Sequence, residues 1–125
     1  MRKLGFILIL GIVSAVLAYL WQSHRGYTSS QIDDVHIYVF EQATCPHCHH
    51  AKQYISATYP NITVVYRDIA QKQNMQGLVA CADKFHLDKQ KLGTPLICMG
   101  QHFILGWGDK QQKQFDLYVQ PFIQK

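Results

Sequence analysis

Hydrophobic residues are arranged in two different ways along this chain. From Leu4 to Trp21, 18 successive residues carry no charge. Beyond Trp21 the apolar positions come in short groups with the spacings of strands and helices. The first pattern predicts a helix close to the roughly 20 residues that cross a bilayer. Arg2 and Lys3 precede it, so the positive-inside rule keeps the N-terminus cytoplasmic and carries the remainder across. Residues 1–21 are therefore read as a membrane anchor. The alternative is a signal peptide cleaved after Ala18. Retention is preferred, because the apolar run continues to Trp21, a residue suited to the membrane interface. Residues 22–34 are polar and turn-prone and read as a linker. Residues 35–125 form the second region, about the size of one domain with one core.

Within that domain, residues 35–40 (Val-His-Ile-Tyr-Val-Phe) predict a strand rich in β-branched and aromatic residues. Residues 46–58 predict a helix with Cys48, Ala51 and Ile55 on one stripe, stopped by Tyr59-Pro60-Asn61. Residues 62–68 alternate as a second strand. A helix follows at 71–86, with Met75, Leu78, Val79, Ala82 and Phe85 facing the core. Leu92-Gly93-Thr94-Pro95 turns into a third strand at 96–99, and Gly100-Gln101 links it by a tight hairpin to a fourth at 102–105. Asp109 is expected to cap a last helix whose apolar face is Phe115, Tyr118, Val119 and Phe122. The predicted order is β-α-β-α-β-β-α: an α/β, mixed four-stranded sheet flanked by helices. Its first two strands are parallel through a right-handed crossover.

Charge changes this picture little. The net charge is +4, from 12 basic and 8 acidic residues, and it is scattered. No basic stripe with interleaved aromatics is visible, which argues against nucleic acid as a partner. Chemistry enters with Cys45-Pro46-His47-Cys48, at the junction of the first strand and first domain helix. Pro46 suits the first helical turn, where an N–H has no partner. Cys45 then occupies the N-cap, facing free N–H groups and the positive end of the helix dipole. A thiolate is stabilised there, and the thiolate is the nucleophile of disulfide exchange. Cys48 lies one turn on, within reach to resolve a mixed disulfide. Pro46 and His47 are read as redox-tuning neighbours.

The order of elements, the C-x-x-C junction and Thr94-Pro95 opening the third strand resemble the thioredoxin superfamily. The resemblance spans roughly residues 35–124. Size and the Gly106-Trp107-Gly108-Asp109 segment look most like its glutaredoxin branch. The Pro46-His47 dipeptide resembles that of the DsbA family, the disulfide-donating enzymes of the bacterial periplasm. The resemblance implies that Cys45 is the nucleophile and Cys48 the resolving thiol. It also implies a cis Thr94-Pro95 bond beside them, with Thr94 offering its backbone to substrate. Three features depart from these families. Thr44 stands where a tryptophan often precedes the first cysteine, and the large helical insertion of DsbA is missing. Trp107 replaces a usual glycine in the glutathione-binding turn, which argues against glutathione as a partner.

Other readings stand beside these. Cys45, Cys48 and His49 share a helix face and would suit a copper-handling protein; redox use is preferred, and neither a metal nor a cofactor is assigned. His49 and His50 are read as helix surface, and His36 as an ordinary edge-strand residue. Cys81 and Cys98 lie on apolar stripes and are either a structural disulfide or buried free thiols. Trp107 either fills space beside the turn or borders the site. The function expected is an extracytoplasmic thiol–disulfide oxidoreductase acting on protein thiols, leaning to a dithiol oxidase. The alternative is a tethered reductase in cytochrome c or envelope maturation, and either would have a membrane redox partner. The expected location is the inner membrane, single-pass, with a periplasmic catalytic domain. Fractionation and intact mass test the anchor. The full-length mass is expected in the membrane fraction, and a soluble form starting near Tyr19 would show cleavage.

Overall fold

The computed structural model describes residues 2–23 and 32–123. Most of the linker read at 22–34 therefore lies outside the described residues. Helix α1 spans Arg2–Ser23. Its mean hydropathy reaches 2.4 over Arg2–Trp21, and it is exposed along its described side chains. An apolar helix of this length fits a membrane anchor or a signal sequence equally.

The domain runs β1 (Ile37–Glu41), α2 (Pro46–Thr58), β2 (Val64–Asp68), α3 (Lys72–Lys84), β3 (Leu96–Met99), β4 (His102–Leu105), α4 (Asp109–Tyr118) and α5 (Gln120–Ile123). The strands form one mixed sheet in the order β2-β1-β3-β4. β1 pairs parallel with β2 from Ile37↔Val64 to Glu41↔Asp68. It pairs antiparallel with β3, Val39 opposite Ile97, and β3 pairs antiparallel with β4. This is the expected mixed four-stranded architecture.

Alternation along the central strands divides the core into two layers. Ile37, Val39, Ile97, Met99 and Ile104 pack with Ile55 of α2 and Phe115 of α4. On the opposite face Tyr38, Phe40, Leu96 and Cys98 pack with Leu78 and Cys81 of α3. Both faces of β1 are covered, so Ile37 to Phe40 are all buried, as a strand covered on both faces requires. The structure joins Cys81 to Cys98 by a disulfide, Cα atoms 6.4 Å apart. The bond ties α3 to β3 inside the second layer.

Several boundaries and faces differ from expectation, each for a local reason. β1 starts at Ile37 because the Asp33 carboxylate accepts the N–H groups of Val35 (3.0 Å) and His36 (2.9 Å). Those donors are taken by a side-chain turn before the ladder begins. β2 is half-buried throughout, without buried–exposed alternation, as the edge strand beside β1. Met75, assigned to the core stripe, is 40% exposed and sits at the lip of a groove. α3 ends earlier than 86, where His86 takes a left-handed φ of 54°. Gly108, not Asp109, holds the N-cap of α4; Asp109 lies in the first turn, where its charge suits the dipole. The last helix divides after Tyr118, since Pro121 lacks the N–H that would continue it.

Replacing Cys81 and Cys98 together by Ala is expected to cost about 3 kcal/mol of stability, from a closed loop of separation 17. Denaturant titration of both proteins measures the loss. Thiol exchange at Cys45 is expected to survive it.

Candidate thiol site

The site begins where β1 ends. Glu41 leaves the ladder, and Cys45 N–H turns back to donate to the Gln42 carbonyl at 3.2 Å. That turn puts Cys45 at the N-cap of α2 in extended conformation, φ −89° and ψ 112°. Pro46 is the first helical residue, as its missing donor allows. The Cys45 sulfur accepts the Cys48 N–H at 3.3 Å, in place of the oxygen of an ordinary capping residue. The Cys45 carbonyl accepts His49 N–H at 3.3 Å, so the same residue also starts the helical ladder.

The second wall comes from the loop before β3. The Thr94-Pro95 peptide bond is cis. The Cys45 thiol donates to the Thr94 carbonyl at 3.5 Å. Gly106, left-handed at φ 80°, donates its N–H to the Pro95 carbonyl at 2.8 Å, holding the loop from β4. Cys45, Cys48, Thr94 and Pro95 are thus gathered at one end of the sheet, from positions far apart in sequence.

The two cysteines are free and have different surroundings. Cys45 is half-buried and Cys48 is 2% exposed. Burial pulls the Cys45 pKa upward. Hydrogen bonds from the Cys48 thiol, the Thr94 side chain and the N–H groups of Cys48 and His47 outweigh it, and the net shift is downward. Burial pushes the Cys48 thiol up, and its bond to Cys45 adds to the rise. Thiolate character is concentrated on the outer sulfur and withheld from the inner one.

The histidines take separate places. His47 is exposed and lines a groove of about 620 Å³ with His50, Tyr54, Trp107 and Asp109. It acts on Cys45 through its backbone N–H. His49 Nε2 lies 2.9 Å from the Ala43 carbonyl, so this ring braces the entry turn. Among the described residues no three His, Cys, Asp or Glu side chains gather as a metal site. Trp107 packs against Tyr54 (5.8 Å) and Phe115 (6.2 Å), so it both fills space and edges the groove.

Two features that hold the elements of the site carry little signal in the sequence. Gln42 acts through its main-chain carbonyl, which any residue type would supply. The second is a clasp between α2 and α4, in which Tyr54 and Tyr59 donate to Asp116 at 2.7 and 2.6 Å. Burial, with the Asp116 carboxylate behind it, holds the Tyr59 phenol protonated far above its ordinary range. The tyrosines were visible only as part of a helix and its stop.

No family model and no curated protein sequence matches the chain. Solved structures do. It is similar to a buckwheat glutaredoxin in a glutaredoxin–glutathione complex, at TM-score 0.50 and 15% identity over 70% of this chain and 76% of that one. It is also similar to the holo form of glutaredoxin C1 from Populus tremula x tremuloides, at TM-score 0.50 and 17% identity over 78% of this chain and 80% of that one. The fold is thioredoxin-like. At this level of identity the likeness speaks for the fold, and the chemistry has to come from the residues themselves.

Iodoacetamide titrated against pH tests the asymmetry of the thiols. In the reduced protein Cys45 is expected to react with a midpoint below the ordinary thiol range, and Cys48 to stay unmodified. Cys48→Ala removes a side-chain hydrogen bond that favours the Cys45 thiolate, so the midpoint is expected to rise. Equal reactivity of both thiols would contradict the geometry.

Proposed function

We propose that the chain is a membrane-tethered, extracytoplasmic thiol–disulfide oxidoreductase that donates disulfides to protein thiols through Cys45 and Cys48. The observation that carries the reading is the Cys45 sulfur at the α2 N-cap, 3.3 Å from the Cys48 N–H. Its chemistry follows in two steps. A substrate thiolate attacks the Cys45 sulfur of the oxidised pair. The Cys45–Cys48 bond breaks, and Cys48 leaves with the electron pair and takes up a proton, as its raised pKa favours. A second substrate thiolate then attacks the substrate sulfur of the mixed disulfide. Cys45 leaves as a thiolate, which its hydrogen bonds stabilise. The substrate gains a disulfide and loses two electrons to the protein. A membrane redox partner reoxidises the pair.

The preference for oxidation rests on that leaving group. Stabilising the Cys45 thiolate stabilises the dithiol form, which makes the disulfide the stronger oxidant. The tethered-reductase alternative runs the same steps backwards. Thr94 and Pro95 form the wall against which substrate is proposed to lie. Glutathione, seen with the buckwheat glutaredoxin, is not the proposed partner here, because Trp107 is the bulkier occupant of the turn. In this reading α1 anchors the domain in the inner membrane.

The reduction potential of the Cys45–Cys48 pair tests the direction. A value near the strong-oxidant end, about −120 mV, is expected, and one near −270 mV would assign the reductase role. His47 is proposed to add to the poise through its ring. His47→Leu is expected to raise the Cys45 midpoint, and each unit of rise should lower the potential by roughly 30 mV. Unchanged midpoint and potential would leave the poise to the helix N-terminus alone.

A further inference from the structure

We propose that a groove beside Cys45 makes this site select polypeptide thiols whose cysteine is flanked by an aliphatic or aromatic residue; this rests on the thiol-exchange reading above. The groove has a volume of about 380 Å³. α3 contributes Met75, Leu78 and Val79, and the segment before β3 contributes Leu92 and Gly93. Its other lining includes Gln42 and Thr94. These are the two residues whose carbonyls receive Cys45, Gln42 from the N–H and Thr94 from the thiol. The groove is therefore continuous with the contacts of Cys45.

That continuity determines the occupant. In a mixed disulfide the two cysteine Cα atoms lie about 4.4–6.8 Å apart. The next residue of the substrate is a further ~3.8 Å along its chain. A residue bonded directly to the substrate cysteine thus falls within reach of a groove that begins at Thr94. Its lining chemistry suits an apolar side chain. The basic side chain in the lining, Lys89, is already paired with Asp83 at 2.6 Å. Glutathione brings two carboxylates and no apolar side chain, so it gains little there. The wall is also held in shape. Leu78 packs in the same layer as Cys81, and the Cys81–Cys98 disulfide ties that helix to β3.

Gly93 supplies the variant. A Cβ there meets nothing within 4 Å, so Gly93→Leu adds an apolar side chain at the groove's wall with no clash at its Cβ. Met75→Asp places a charge at the exposed lip, where Met75 is 40% exposed and not part of the packed core. The test uses the reduced full chain in nanodiscs and short peptides with one cysteine, activated as the 2-thiopyridyl disulfide. Cys45 attacks the peptide sulfur, the peptide–pyridyl bond breaks, and 2-thiopyridone leaves with the electron pair. Cys48 then attacks the Cys45 sulfur and releases the peptide as a thiol. The released thiopyridone and peptide thiol report the two steps.

Peptides with Leu or Phe beside cysteine are expected to react at least about 10-fold faster, at subsaturating concentration, than those with Gly or Asp, and faster than glutathionyl-thiopyridine. The difference should lie in the concentration for half-maximal rate. Gly93→Leu and Met75→Asp should each erase most of it, while the rate with dithiodipyridine, which carries no flanking residue, stays unchanged. Equal rates for all peptides, or a faster glutathione substrate, overturn the groove and leave thiol exchange standing. A preference that survives both variants also overturns it. Failure of Cys45 to react selectively with dithiodipyridine overturns the functional reading itself, and this inference with it.

Discussion

One hydrogen bond organises the site: the Cys48 N–H donated to the Cys45 sulfur at 3.3 Å. It exists only if α2 starts at Pro46, one residue after the cysteine. A start one residue later would leave the sulfur outside the free N–H groups of the first turn. Pro46 supports this start because it can occupy the first turn without wasting a donor. The Gln42 carbonyl supports it from the other side by closing the turn on the Cys45 N–H. A local choice of helix start therefore decides which of two chemically identical thiols becomes the nucleophile.

That choice needs a rigid surround, which the two-layer core supplies. β1 is buried on both faces, so it delivers Gln42 to one place at the end of the sheet. α2 is held from one layer by Ile55 and by two phenols on the Asp116 carboxylate of α4. The loop bearing Thr94 is held through the Pro95 carbonyl and the left-handed turn at Gly106. Each support comes from a different element, so the Cys45 environment reports on the packing of nearly the whole domain.

The sequence made some of this readable and hid the rest for physical reasons. Strand order, helix positions and the C-x-x-C junction were legible because hydrophobic period and turn residues act locally. The Pro46 start of α2 was legible for the same reason. Boundaries slipped where a side chain took over backbone donors, as Asp33 does for Val35 and His36. Met75 was misplaced because the helical stripe gives a direction but not what lies opposite, and here a groove lies opposite. The Gln42 carbonyl left no mark because any residue type supplies it, and the role of Asp116 depended on a chain separation that no local pattern carries; Tyr54 and Asp116 lie 62 positions apart. The state of Cys81 and Cys98 was undecidable for a related reason. Their joining depends on α3 turning one face to the sheet at the level of β3.

The domain is also polarised along β1. The chain enters at the N-terminal end of this strand, and Cys45 follows its C-terminal end. Four steps of about 3.4 Å between Ile37 and Glu41 separate the two ends by roughly 14 Å. The entry end has its own fastening. Lys84 pairs with Asp34 and donates to the Gly100 carbonyl at 2.7 Å, while Gln101 donates to Asp34 at 3.1 Å. Segment 32–36 is thereby fixed to α3 and to the β3–β4 turn. Pulling on segment 32–36 would load this clasp and the β1 ladder before it reached the cysteines. The entry end of the domain and the thiol site are thus fastened by different contacts, at opposite ends of the strand that joins them.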